Sequence, residues 1–216
     1  MRKLILSCAV IALVSFTSCK KENTENVGDS ATETTAVGVY NLDVSNSKID
    51  WVGSKPAGKH TGTLTLTEGN FEVTEGNITG GTFTIDMNSI TVTDLSGDDK
   101  MYLETHLKGT GDKESEDHFF NVNKYPTATF TVSSVEKVEN NHLVKGNLTV
   151  KDITNAVEFT AQVTTTDSTV TLVSNPFKIN RTKWNVTYAS KSLFDDLKDK
   201  FVDDDIELVV KVSATK

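Results

Sequence analysis

The chain is poor in the residues that usually announce chemistry. Its 216 residues contain 2 cysteines, 3 prolines and 4 histidines. Cys8 sits inside an apolar N-terminal run and Cys19 at its end, so neither a disulfide framework nor a cysteine-based metal site can be built in the rest of the chain. No Gly-x-Ser-x-Gly, phosphate-binding Gly-rich loop or His-x-His spacing occurs. His106, His118 and His142 are scattered along the chain, and Asp98-Asp99 and Asp203-Asp204-Asp205 lack the spaced oxygens and central glycine of a calcium loop. No catalytic residue, metal or cofactor is therefore assigned. Basic residues are also short, 22 against 30 acidic ones, for a formal charge of -8. That balance excludes nucleic acid and broad anionic surfaces as partners, though not one anionic group held by a few local cations.

A long apolar run is missing too. The stretch from Leu4 to Phe16 follows Arg2 and Lys3 and is shorter than the roughly 20 residues that span a bilayer. It reads as a signal peptide, residues 1–18. The run ends in Phe16-Thr17-Ser18-Cys19, similar to the lipobox of bacterial lipoproteins, with Phe16 where a smaller aliphatic residue is usual. The expectation is cleavage before Cys19 and acylation of that residue, giving an envelope protein anchored on the periplasmic or cell-surface side. Residues 19–38 are polar and aperiodic and read as a flexible acylated tether, at most roughly 60 Å long when stretched.

From residue 39 to 216 the chain alternates with period two. Thr63-Leu64-Thr65-Leu66-Thr67, Thr82-Phe83-Thr84-Ile85-Asp86-Met87 and Thr127-Ala128-Thr129-Phe130-Thr131-Val132 each put apolar residues at every second position. Val157 to Val163 and Ile206 to Val212 continue the pattern, and Gly-Asn and Asn-Asn turns separate the runs. The prediction is an all-β domain: an eight-stranded antiparallel lipocalin-like barrel, with a two-sheet sandwich as its rival. Eight strands close a barrel just wide enough to be filled by side chains or to hold one small ligand. Two segments break the rhythm. Asp98 to Lys108 and Ser190 to Phe201 have helical apolar spacing, which predicts one or two short helices capping the barrel ends.

Alternation turns Trp51, Phe83, Ile85, Phe130, Phe159 and, in a less regular stretch, Trp184 toward the interior. They either pack it solid or line an apolar cavity, which suits a long hydrocarbon better than a sugar. Two polar residues are candidates for the cavity mouth. His60 follows a Gly-rich turn and either lines the mouth or faces solvent. Arg181 either meets an anionic head group or pairs with a nearby carboxylate.

Several blocks in order resemble the YceI-like family of lipocalin-like barrels. They are Tyr40-Asn41-Leu42-Asp43, Ser47-Lys48-Ile49-Asp50-Trp51, the His60-Thr61-Gly62 element, Asp117-His118-Phe119-Phe120-Asn121-Val122 with Lys124-Tyr125-Pro126-Thr127, Gly146-Asn147-Leu148-Thr149-Val150, and Ile179-Asn180-Arg181-Thr182. The resemblance implies binding of polyisoprenoids. Asp152, Thr154 and Ala156 stand where the family tends to have Gly, Thr and Pro, and Trp184-Asn185 where Phe-Gly is usual, which implies a different turn and a reshaped strand. The expected function is non-catalytic binding, storage or transport of an isoprenoid-type lipid or quinone beside the membrane. The rivals are a solid anchored structural or stress-response module and an enzyme acting on a bound lipid. A homodimer is left open.

Overall fold

The computed structural model describes residues 36–216. The signal segment, Cys19 and nearly all of the stretch read as a tether lie outside the described residues. Its last three residues already belong to the domain. Ala36 is buried, its carbonyl accepts from the Gly76 N–H at 2.8 Å, and the first strand starts at Gly38.

Ten antiparallel strands form eight staves of one closed barrel. They are β1 (Gly38–Leu42), β2 (Lys48–Lys55), β3 (Gly58–Thr74), β4 (Asn77–Val92), β5 (Thr127–Val138), β6 (Asn141–Val150), β7 (Ile153–Thr165), β8 (Thr169–Ser174), β9 (Phe177–Asn180) and β10 (Asp205–Thr215). β1 and β2 make a single stave along β3, interrupted by a 3-10 turn at Val44–Asn46. β8 and β9 make another, interrupted around Pro176. β10 closes the ring, pairing with β2 and the end of β1 on one side and with β9 and β8 on the other. Closure leaves no sheet edge. All three prolines sit outside strand interiors, at the β2–β3 turn, just before β5 and at the β8–β9 break, where no ladder N–H is needed.

The long strands bend at bulges. The β3–β4 register shifts between Thr63 and Thr65 and again between Leu66 and Glu68. Side chains satisfy the first irregularity: Ser89 Oγ donates to the Asp86 carbonyl at 2.6 Å and accepts from the Thr65 N–H at 2.8 Å. Such bulges sharpen the local bend that a small barrel requires. The phase of β4 changes there, so that Phe83, Ile85 and Met87 and then Ile90 and Val92 are buried.

The barrel has a solid base and a covered top. At the base Tyr40 is fully buried, and its hydroxyl lies 3.0 Å from the Thr166 carbonyl and 3.2 Å from that of Asp167. Val73, Ile78, Ala161, Val170 and Ala214 pack around it. At the top lie α1 (Gly97–Lys108), the segment 109–126 and the long segment 181–204. Asp98 and Asp99 favour the start of α1 and Lys108 its end. Gly109 ends it in the left-handed region at φ 68°. Glu104 ties α1 to β4, its Oε1 accepting the Val92 N–H at 2.8 Å.

The second expected helix, Ser190 to Phe201, does not form. Ala189, Asp196 and Lys198 have φ of 48°, 62° and 50°, so the chain turns instead of coiling, with one 3-10 turn at Lys198–Lys200. Leu193 and Phe194 stay about half exposed. The residues flanking the segment are held by a buried cation. The Arg181 guanidinium donates from Nε to the Asp203 carbonyl (3.0 Å) and from Nη1 to Val186 (2.7 Å). Its Nη2 donates to Tyr188 (2.9 Å) and Val202 (3.0 Å). A second buried cation, Lys151, donates from Nζ to Asp117 Oδ1 at 2.7 Å and to the carbonyls of Phe119 (3.0 Å) and Asn185 (3.2 Å). It joins the segment 109–126 to the segment 181–204. Lys151 and Asp152 form the two-residue β6–β7 turn with φ of 49° and 60°, the pair of positive angles of a type I′ hairpin.

Two expectations follow. Arg181→Lys keeps the charge but loses the planar fork, and should cost about 2–4 kcal/mol. The readout is the thermal midpoint, and an unchanged value would show that the carbonyl cage does not hold the segment. Gly62→Ala places a methyl group against the Thr91 carbonyl and the Trp51 ring. It should cost about 1–3 kcal/mol in urea unfolding with an unchanged slope; an unaffected midpoint would put the Trp51 ring elsewhere.

Candidate functional site

Above the Tyr40 base the barrel is hollow. A cavity of about 450 Å³ runs between the walls up to the covering segments, within the range of about 300–1,000 Å³ common to small-ligand sites. Its wall is almost wholly apolar. The hollow exists partly because large rings lie against glycines instead of projecting into the centre. Trp51 on β2 covers Gly62, its partner on β3, and Phe130 on β5 covers Gly146 of β6. In both cases a Cβ on the glycine would collide with the ring.

All eight residues singled out in the sequence border this cavity. Phe83 and Phe130 face each other in register across β4 and β5. Phe83 meets Phe71 edge-on at 4.7 Å, and Phe159 stacks on Phe177 at 4.5 Å. Ile85 lies opposite Ala128. Trp184 arrives from a 3-10 turn at Arg181–Trp184, and its indole Nε1 donates to the Leu148 carbonyl at 3.0 Å.

The two polar candidates have different fates. His60 sits at the mouth on β3, its Nδ1 2.9 Å from Asp94 Oδ2, while Asp94 Oδ1 accepts the Thr61 N–H at 2.8 Å. Burial works to raise the Asp94 carboxyl, but the Thr61 N–H and the His60 ring outweigh it and hold it below the usual carboxylate range. Arg181 is committed chiefly to backbone carbonyls. Its guanidinium is turned into the four carbonyls of its own segment, and the Asp204 carboxylate stands 3.8 Å away. Four of its five N–H groups are thereby committed, so it borders the cavity with little left to offer a guest.

The structure also gathers residues that the sequence scattered. His106 on α1 and His118 in the following segment lie twelve positions apart, yet His106 Nε2 and His118 Nδ1 are 3.0 Å apart. Tyr188 stacks on His118 at 4.4 Å and meets His106 edge-on at 4.8 Å. Phe119 completes the cluster, 5.1 Å from His106. His106, Phe119 and Tyr188 all border the cavity. No motif spacing signals this group, because the three segments meet only when the top of the barrel is covered. Among the described residues, no three His, Cys, Asp or Glu side chains gather as a metal-ligand set.

The known proteins agree with this architecture. The BcnA protein of Burkholderia cenocepacia superposes with a TM-score of 0.61 at 22% identity, over 81% of this chain and 99% of that one. A polyisoprenoid binding domain from Saccharophagus degradans, implicated in plant cell wall breakdown, superposes with a TM-score of 0.58 at 16% identity, over 82% and 97%. At such identities the likeness is one of fold. No curated protein matches the chain in sequence. The model of the YceI-like domain matches residues 40–214, from the tyrosine that seals the base to the end of the strand that closes the ring. The chain belongs to the YceI-like family.

Proposed function

We propose that the barrel takes up an isoprenoid-type lipid and shields it from water without transforming it. The observation that carries this reading is the cavity of about 450 Å³ with its apolar wall. Burial there stabilises a hydrocarbon relative to water by about 0.8 kcal/mol per methylene. Against a bilayer the same transfer is nearly neutral, because lipid tails are equally apolar. The protein therefore exchanges lipid with a membrane instead of extracting it irreversibly, as a carrier or store does. The fold neighbour from Saccharophagus degradans, a polyisoprenoid binding domain, supports the choice of lipid class.

The cavity wall offers few polar groups to a guest, and Arg181 at its rim is committed to carbonyls, which favours binding over catalysis. Acylation of Cys19 in the cell envelope would set the barrel beside its lipid source. A quinone is the same tail with a ring at the mouth, and fits the reading equally.

Organic extraction of the protein purified in its native form, followed by mass spectrometry, should release an isoprenoid or quinone. A delipidated protein that takes up neither would overturn the proposal. Ala128 is buried on the cavity wall opposite Ile85. Ala128→Phe should fill part of the hollow and weaken uptake by about tenfold or more, equivalent to about 1.4 kcal/mol, while a cooperative melt persists. Unchanged affinity would place the guest elsewhere.

A further inference from the structure

The His106–His118 pair stands where α1, the segment 109–126 and the segment 181–204 meet through their rings. α1 and the segment 109–126 are joined by backbone bonds, Phe120 N to Leu107 O at 3.1 Å and Val122 N to Lys108 O at 2.8 Å. Both therefore move as one piece. Lys151 and Arg181 hold both ends of the segment 181–204 and the Tyr188 backbone through carbonyls and one carboxylate that keep their roles at any moderate pH, which leaves the Tyr188 side chain as the part free to swing. The remaining junction is Tyr188 laid against the two imidazoles, beside the cavity.

A hydrogen bond between two imidazole nitrogens needs one donor and one acceptor. It exists when both rings are neutral or when one is protonated. With both protonated, each facing nitrogen carries a proton, and two positive charges stand about 3 Å apart. No rotation of the rings in place repairs that.

We propose that His106 and His118, with Tyr188 stacked on them, form a proton-operated latch that keeps the cavity mouth shut near neutral pH and releases the Tyr188 ring from over the cavity in mild acid. The latch rests on the cavity accepting a guest and adds how the guest leaves.

The surrounding charges set the window. Burial is the main influence holding His106 below the ordinary imidazole value, and the neighbouring His118 acts in the same direction. Asp112, from the segment after α1, opposes both, and its carboxylate also faces His118. Arg181 lies behind Phe119, 5.8 Å from that ring, and its charge is spent on carbonyls. Asp117, next to His118 in the chain, is held by Lys151, whose hydrogen bond keeps its carboxyl low. Tyr188 contributes a neutral ring face.

The sign follows directly. A His106 ring that binds its proton less readily in the closed state than in water favours closure above the ordinary value of about 6.5. That preference fades as pH falls, because the open form binds the proton better. The first proton is tolerated as a charge-assisted bond beside Asp112, and the second breaks the pair. Opening is therefore expected as pH falls below the ordinary imidazole value of about 6.5.

The test uses the full chain and an uncharged fluorescent probe of apolar sites, N-phenyl-1-naphthylamine. Its release rate should rise severalfold between pH 7.5 and 5.5, the direction set by a His106 ring that binds its proton less readily in the closed state. His106→Gln and His118→Gln each keep a hydrogen-bonding side chain but remove the second proton site, and either should flatten the profile. Proton-detected imidazole spectra of the wild-type protein give a readout that needs no guest, and should show the two rings titrating in coupled steps. Probe release independent of pH, or two independent simple titrations, overturns the latch and leaves the binding proposal standing. A chain that takes up no probe at any pH overturns both.

Discussion

Strand β10 is the constraint on which the rest depends. Two of the eight staves are broken, one at the Val44–Asn46 turn and one at Pro176, and β10 spans both breaks. Its Ile206–Lys211 half pairs with β2 while Asp205–Leu208 pairs with β9, and its Lys211–Thr215 half pairs with β8 while its end reaches β1. Most of it thus has a strand neighbour on each side, the Val210 and Ser213 N–H groups at the two breaks go to Ser174 Oγ and Ser47 Oγ, and the ring closes through a single strand. Only in a closed ring does alternation define an inside, because an open sheet has two faces and no lumen.

What fills that inside differs along the axis. The base is sealed by Tyr40, whose ring supplies apolar volume and whose hydroxyl finds carbonyls in the β7–β8 turn. Higher up, the Trp51 and Phe130 rings cover Gly62 and Gly146. A glycine opposite a large ring converts that ring from a plug into wall covering. The hollow is thus a product of paired choices across neighbouring strands, large on one and absent on the other.

The top is held by a different kind of interaction. Two buried cations, Lys151 and Arg181, bind seven acceptors between them, six of which are backbone carbonyls. This is how irregular segments remain ordered over an apolar cavity: carbonyls that have no ladder partner receive a charged donor instead. The same arrangement explains why Ser190 to Phe201 does not coil. Its carbonyl neighbours at Tyr188 and Val202 are drawn toward one guanidinium, and left-handed residues between them carry the turns.

The alternating β segments, the first helix and the inward direction of Trp51, Phe83, Ile85, Phe130 and Phe159 were legible in the sequence, because period and side-chain direction are local properties of a strand or helix. The second helix was misread for the same reason: apolar spacing at Leu193, Phe194, Leu197 and Phe201 is a necessary condition for an amphipathic helix, and only a surface to receive it makes it sufficient. Arg181 was recognised as a notable charge but not as a clamp, since its partners are carbonyls, which every residue has and no sequence marks. His106 and His118 looked scattered because twelve residues of turns separate them. The chain by itself determined which residues face inward, since a strand has only two sides. Whether the inward rings meet, leaving the barrel solid, or stand apart around a hollow was decided by the register between neighbouring strands, which sets each ring against a glycine or against another ring and exists only once the barrel has closed.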